Sequence, residues 1–231
     1  MKTLLALVCV AAVAAVADRH FGGAEAVAAQ AKMKTFQLVL LRKGPSPIEA
    51  KLLEEHGAYM KKLGADGVSV AAGPFTDGGD IIGAMILRDA TVEQARAIEA
   101  ADPAVKAGIF TVDVMPFMTV DEGQFQPWAT PFATETVYFG FLKSGPNRGQ
   151  SKEEAARLQK EHLAYMEGQG KLGRLIVAGP FVEPGVDRGI VIYRVESVGE
   201  AKSRAEADPM IKAGRLVVEL HPWAIPRGAL K

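Results

Sequence analysis

The chain has 231 residues, of which 48% are hydrophobic and 23% charged, and its formal net charge at pH 7 is zero. This length and apolar fraction allow one large or two small globular domains with buried cores. Zero net charge, with no run of Lys and Arg, argues against nucleic acid or an anionic surface as the main partner, because both attract basic patches. The expected partner is therefore a small-molecule ligand.

The N-terminal stretch is typical of a secretory signal peptide. Lys2 is followed by an apolar run from Leu4 to Ala17 that ends in small residues, a pattern that predicts cleavage after Ala17. A retained membrane anchor is the alternative, but about 20 apolar residues are needed to span a bilayer. We expect loss of residues 1–17, a flexible tether over residues 18–34, no stable membrane span, and a periplasmic or secreted protein.

From residue 35 the predicted elements alternate between strands and helices. The apolar run Phe36–Arg42 predicts a buried strand, and apolar residues at helical spacing predict a helix over Pro47–Leu63 that ends at Gly64. Two strands, a second helix and a last strand are predicted to follow, at Val68–Ala72, Ile81–Arg88, Thr91–Ala101 and Ile109–Phe117. The order βαββαβ defines a ferredoxin-like unit, an α+β fold whose antiparallel sheet carries helices on one face.

The second half of the chain repeats the first. A constant offset of 106 residues relates four pairs that recur in the same order, and such an offset indicates a duplicated unit: His56 and His162, Tyr59 and Tyr165, Gly73 and Gly179, Asp102 and Asp208. We predict domains at 35–118 and 136–225, joined by a linker at 119–135 whose aromatic residues pack along the surface. Because helices cover one face of each sheet, we predict that the two sheets pack together as an internal pseudo-dimer, with further self-association left open.

Both copies resemble the YCII-related family, a branch of the dimeric α+β barrel superfamily. The resemblance lies in a His on the first helix, an Ala-Gly-Pro after the second strand and an Ala-Asp-Pro before the last strand. It implies two ferredoxin-like units paired into a barrel. It also implies a catalytic pair in each copy, His56 with Asp102 and His162 with Asp208. The best-defined activity associated with the family is a dehalogenating lyase acting on a chlorinated hydroxyquinol.

The sequence departs from the family pattern at two places. Family members often carry a basic residue just upstream of the His and a second His further along the helix. The corresponding residues here are Leu53 or Gln159 for the first, and Gly64 or Gly170 for the second. The family's substrate therefore does not transfer directly to this chain.

The paired His and Asp are suited to general-base chemistry. A carboxylate that holds one imidazole nitrogen fixes the tautomer, and the other nitrogen can take a proton from a substrate. Lyase, isomerase or hydrolytic chemistry without a cofactor follows from this arrangement. Tyr59 and Tyr165 lie three residues after each His and could donate to a developing oxyanion. Gly73 and Gly179 would let a substrate approach the backbone closely.

Each of these residues also has a structural explanation. A His on an apolar stripe is commonly a hydrogen-bonded core residue, and a Tyr there is commonly a core aromatic. Asp directly before Pro is well suited to capping a short helix, and Gly-Pro ends a strand. A non-catalytic small-molecule-binding module and a structural or assembly role therefore remain alternatives to an enzyme.

No metal or cofactor is expected from the sequence. The four histidines form no cluster with ligand-like spacing, and no Gly-rich loop has the spacing of a nucleotide-binding motif. The single cysteine, Cys9, lies within the predicted signal peptide, so the mature chain would have no disulfide and no thiol nucleophile.

Overall fold

A computed structural model of the chain describes residues 33–121, 123–128 and 133–231. The predicted signal peptide and almost all of the predicted tether lie outside the described residues, and so does Phe132 of the predicted linker. Signal cleavage and export therefore stay predictions. No helix within the described residues is long and apolar enough to cross a membrane.

The two predicted ferredoxin-like units are present, and the predicted fold class is confirmed. The first copy consists of β1 (Met33–Lys43), α1 (Ala50–Ala65), β2 (Ser69–Pro74), β3 (Ile81–Leu87), α2 (Val92–Ala101), α3 (Pro103–Lys106) and β4 (Phe110–Val120). The second consists of β5 (Thr134–Ser144), α4 (Lys152–Lys171), β6 (Leu175–Pro180), β7 (Asp187–Tyr193), α5 (Val198–Glu206), α6 (Pro209–Lys212) and β8 (Leu216–Pro226).

The two sheets have the same topology and register. Their strand orders are β2-β3-β1-β4 and β6-β7-β5-β8, as expected for a ferredoxin-like unit. In the first sheet Val39 pairs with Met85, and in the second Gly140 pairs with Val191, in antiparallel ladders. Each ladder contains one irregularity at the same place, after Leu41 and after Leu142. The duplication therefore extends to backbone detail.

Each copy has its own core between the sheet and its helices. Successive side chains of a strand point to opposite faces of the sheet, and side chains three or four residues apart share one face of a helix. Every second strand residue therefore packs against the apolar stripe of a helix. The first core includes Val39, Leu41, Met85, Leu87, Ala95, Phe110 and Trp128. The second includes Tyr138, Leu142, Leu158, Met166, Val191, Tyr193 and Leu216. The opposite sheet faces are also buried, as at Leu38, Ile86, Phe139 and Ile192.

The compact units do not coincide with the predicted domain boundaries. Among the described residues, one unit contains 35–117 together with 123–128, 133–136 and 222–231, and the other contains 118–121 and 137–221 with the start of β1. Within the first unit, Trp128 is 5% exposed and its indole N–H donates to the carbonyl of Ser69 at 3.1 Å. The predicted linker therefore supplies a core residue, where we expected aromatic residues along the surface.

Gly64 has a different role from the predicted helix end. Helix α1 continues to Ala65, and the left-handed residue that follows it is Gly67, with φ +73°. A Cβ at Gly64 would collide with the indole ring of Trp128. The glycine is therefore needed so that Trp128 can lie directly against the helix backbone.

Candidate functional site

The first copy brings His56 and Asp102 into direct contact. His56 lies on α1, and Asp102 is the N-cap of the short helix α3, with Pro103 at the first helical position. The Oδ1 atom of Asp102 accepts from the backbone N–H of Ala104 at 2.8 Å, and its Oδ2 atom lies 2.6 Å from Nδ1 of His56. One carboxylate therefore caps the helix and holds the imidazole, so the structural and functional explanations of Asp-Pro apply together.

The second copy repeats this geometry. Asp208 accepts from the backbone N–H of Met210 at 2.8 Å through Oδ1, and its Oδ2 lies 2.6 Å from Nδ1 of His162. The sequence-predicted His and Asp residues are thus paired in both copies. Because a carboxylate can only accept, the pairing places the ring proton on Nδ1 and the lone pair on Nε2. Nε2 is then the atom that could act as a general base.

The two imidazoles differ in how accessible they are. The side chain of His56 is 19% exposed, and its ring meets that of Phe110 edge-on at a centroid distance of 5.2 Å. The side chain of His162 is only 1% exposed, and its Nε2 atom is buried with no hydrogen-bond partner among the described residues. A substrate in solution can therefore reach the first imidazole more readily than the second.

Both predicted tyrosines use their hydroxyl groups in helix packing. Tyr59 donates to the carbonyl of Ile98 at 2.8 Å, and Tyr165 donates to the carbonyl of Arg204 at 2.6 Å. Each carbonyl lies in the last turn of a helix, where no intrahelical donor is available. Burial raises the pKa of Tyr59, and the charges of Glu99 and Asp102 add to this effect. A role of either tyrosine in substrate binding stays a prediction.

Gly73 and Gly179 lie where another strand comes close. A Cβ at Gly73 would collide with the carbonyl oxygen of Ala224, and one at Gly179 with that of Met118. Trp223 also donates its indole N–H to the carbonyl of Gly73 at 2.9 Å. Close backbone packing therefore explains both glycines without a ligand, and their predicted contact with substrate stays a prediction.

Glu99 is a candidate residue that the sequence reasoning missed. It lies on α2, is 0% exposed, and neither carboxyl oxygen has a hydrogen-bond partner among the described residues. Burial raises the pKa of Glu99 to about 8, and the charge of Asp102 adds to the increase. The available signal was its spacing, because Glu99 follows buried Ala95 by four residues and so shares its helix face.

A cleft of about 530 Å³ opens on the first unit beside the start of α2. Asp66, Val68, Arg88, Gln94 and Ile98 are among its lining residues, whereas His56 and Asp102 are not. Among the described residues, no group of three or more His, Cys, Asp or Glu side chains is placed to hold a metal ion.

Solved structures with a similar fold place the chain in the dimeric α+β barrel class. A candidate chlorite dismutase matches with a TM-score of 0.54 and 9% identity, covering 84% of this chain and 96% of that one. A substituted chlorite dismutase from Candidatus Nitrospira defluvii matches with a TM-score of 0.53 and 9% identity, covering 83% and 91%. Another variant of that enzyme, solved with cyanide, has a TM-score of 0.52 and 9% identity, covering 82% and 90%. At such identities the likeness shows the fold alone.

The family assignment comes from the sequence match. The model of the YCII-related domain matches residues 22–118 and 141–224, one segment for each copy. The chain therefore belongs to the YCII-related family and carries two tandem domains, as the resemblance implied. A comparison with curated proteins finds no match.

Proposed function

We propose that the chain is an enzyme of the lyase or isomerase type that acts on a small molecule of the hydroxylated aromatic class without a cofactor. The observation that carries the proposal is the 2.6 Å contact between Nδ1 of His56 and Oδ2 of Asp102 beside a partly exposed ring. Asp102 is fixed by its cap on α3, so it orients the imidazole, and Nε2 accepts a proton from a substrate hydroxyl or carbon acid.

The family resemblance suggests the first probe. In a dehydrochlorination, one ring hydroxyl of a chlorinated hydroxyquinol becomes a carbonyl as its proton moves to the chlorine-bearing carbon. His56 would then take the proton of a second hydroxyl, and the electron pair released into the ring expels chloride, leaving a hydroxyquinone. The proton and the chloride together account for one HCl, so neither an oxidant nor a reductant is needed. Chloride release from chlorinated hydroxyquinol is therefore a direct assay of this reaction.

The test compares two neighbouring substitutions in the full chain. His56→Gln should abolish chloride release from chlorinated hydroxyquinol, or turnover of any phenol found in a thermal-shift screen. Glu55→Gln should retain activity, because Glu55 is an exposed residue paired with Lys51 on the same helix. Equal activity in the wild type and the His56→Gln variant would overturn the proposal.

A non-catalytic binding role is the second candidate, and the cleft beside α2 favours it. Its lining combines apolar residues with charged ones but excludes the His and Asp pair, so a ligand could bind there without chemistry. A ligand whose thermal shift survives His56→Gln but disappears in Ala97→Trp, which fills the cleft, would support this role. Loss of the shift in His56→Gln alone would contradict it.

We also propose that the protein is exported. The support is the apolar run that follows Lys2 and ends at Ala17, which has the length and flanking residues of a secretory signal. The mass of the protein isolated from the producing cell should show loss of about the first 17 residues. A mass that retains Met1 would contradict export by a cleaved signal.

A further inference from the structure

We infer that the two copies have divided their roles: His56, Asp102 and Glu99 form the reactive site, and His162 with Asp208 forms a structural contact. This inference rests on the proposed function and specifies which copy carries it. It starts from one comparison within the chain. The two pairs have the same Nδ1-to-Oδ2 distance of 2.6 Å, so geometry of the pair does not distinguish them.

The surroundings of the two histidines do distinguish them. Gly57 follows His56, and a Cβ there would meet nothing within 4 Å, so the helix surface beside the imidazole is open. The equivalent residue of the second copy is Leu163, which is 8% exposed. The residue that follows the histidine is thus a glycine with open space around it in the first copy and a buried leucine in the second.

A second difference between the copies lies on β7. Tyr193 of β7 occupies the position of Leu87 in β3, and it is 4% exposed. It lies close enough to Asp208 for the carboxylate charge to contribute to the raised pKa of its hydroxyl, after the larger effect of burial. In the second copy the His162 side chain is 1% exposed, and Tyr193 lies near its partner Asp208. A site without access to solvent cannot bind and release a substrate.

Glu99 marks the first copy as the site under functional constraint. A buried carboxyl group with neither oxygen hydrogen-bonded lowers stability, so its presence calls for a reason other than packing. The equivalent residue of the second copy is Ala205, also fully buried. The copy with the open imidazole is therefore the copy that retains the unfavourable acid.

Glu99 acts through Asp102 and is a positioning residue. The titratable groups that interact with it are Asp102 at the start of α3 and Tyr59 on α1. While Glu99 is neutral, Asp102 is the single negative charge of the cluster, and the imidazole is held by one carboxylate. Ionisation of Glu99 would add a second buried negative charge next to the pair and favour a protonated imidazole, which cannot act as a base.

The accessibility part is tested by chemical modification of the intact full-length chain. Diethyl pyrocarbonate reacts with unprotonated imidazole nitrogen, so peptide mass analysis after a short exposure compares the two histidines in one sample. Because both rings face a carboxylate at equal distance, each serves as the control for the other. We expect His56 to be modified at least about tenfold faster than His162, because only its ring is open to solvent. Equal rates, or faster reaction of His162, would overturn the division of roles.

The functional part compares His56→Gln with His162→Gln, using chloride release from chlorinated hydroxyquinol and the thermal midpoint. His56→Gln should lower turnover by at least about 100-fold, the effect of removing a general base, whereas His162→Gln should keep turnover and lower the midpoint. The reverse pattern would overturn the inference. If the wild type itself has no activity, the proposed function fails, whereas the modification rates still decide which site is open.

The role of Glu99 is tested by the ring resonances of His56 in the wild type and in Glu99→Gln. The wild type should show an inflection near pH 8, where Glu99 ionises. Glu99→Gln, which keeps the shape of the side chain but cannot ionise, should lack that inflection. An inflection near pH 8 that persists in Glu99→Gln would exclude Glu99 from the site.

Discussion

Trp223, on β8, donates its indole N–H to the carbonyl oxygen of Gly73 on β2 at 2.9 Å, although 150 residues separate the two in the chain. The backbone N–H of Thr76 donates to the carbonyl of Pro222 at 2.9 Å, and Phe75 forms a bridge with Trp223. The last part of β8 thus completes the unit that contains the first copy. In the other unit, Thr119 on the end of β4 donates to the carbonyl of Ala178 at 2.8 Å.

This close packing makes Gly73 intolerant of a side chain. Gly73→Ala should destabilise the protein by at least about 2 kcal/mol, because the new Cβ meets a backbone oxygen that cannot rotate away. Gly57→Ala is the control, since its Cβ meets nothing within 4 Å, and replacing a mid-helix glycine should stabilise by up to about 1 kcal/mol. Urea denaturation followed by circular dichroism measures both effects. A free energy of unfolding that is unchanged in Gly73→Ala would show that β2 and β8 can move apart at this position.

The duplicated helices offer a matched pair at Gly64 and Gly170. Gly64→Ala should lower stability and change tryptophan fluorescence, because the added methyl group displaces the Trp128 ring that covers it. Gly170→Ala should leave fluorescence unchanged and should not destabilise, because its nearest neighbour is the Leu175 carbonyl at 3.7 Å. Fluorescence reports on this contact because the chain has only two tryptophans. Identical spectra for the two variants would contradict the packing of Trp128 on α1.

Two substitutions of Asp102 should separate its two tasks. Asp102→Asn keeps an oxygen that can accept from Ala104, so stability should change little, but its amide cannot act as a carboxylate toward His56. The ring proton should then move to Nε2, and activity should be lost. Asp102→Ala should lose activity and also about 0.5–2 kcal/mol of stability with the cap. Nitrogen chemical shifts of the imidazole measure the tautomer; a proton that stays on Nδ1 in Asp102→Asn would contradict this explanation.

The raised pKa of Glu99 predicts a specific dependence of stability on pH. Its folded pKa of about 8 lies above the ordinary glutamate value of 4.5, so between these values the native state holds a proton that the unfolded chain has released. The contribution of Glu99 to stability is therefore complete below pH 4.5 and declines as the pH rises toward 8. Over this range one such group lowers the free energy of unfolding by about 1.4 kcal/mol for each unit of pH.

Glu99→Gln should remove this slope between pH 5 and 8, measured as the free energy of unfolding at each pH. Glu93→Gln is the control on the same helix. The pKa of Glu93 is lowered by its own backbone hydrogen bond and by the side chain of Thr91. Any contribution of Glu93 to stability is therefore lost only as the pH falls below the ordinary carboxyl range. A slope that persists in Glu99→Gln would show that another group causes it.

The amino-acid sequence was enough to show the duplication and to predict the order of elements and the residues of the candidate site. A constant offset of 106 residues and the local periodicity of strands and helices are properties of the chain, and they do not depend on long-range contacts. The pairing of His56 with Asp102 was likewise predictable from the family resemblance, because both residues recur in each copy at the same separation.

Long-range packing, which local sequence does not encode, sets how each unit is completed and which histidine is open. Burial depends on what packs against a residue from distant parts of the chain, so two His and Asp pairs with matching local sequence can differ in exposure, as 19% and 1% show. The same reason applies to Trp128 and Trp223, whose partners Ser69 and Gly73 lie far away in sequence. Glu99 became a candidate only when its carboxyl proved to be buried without a partner.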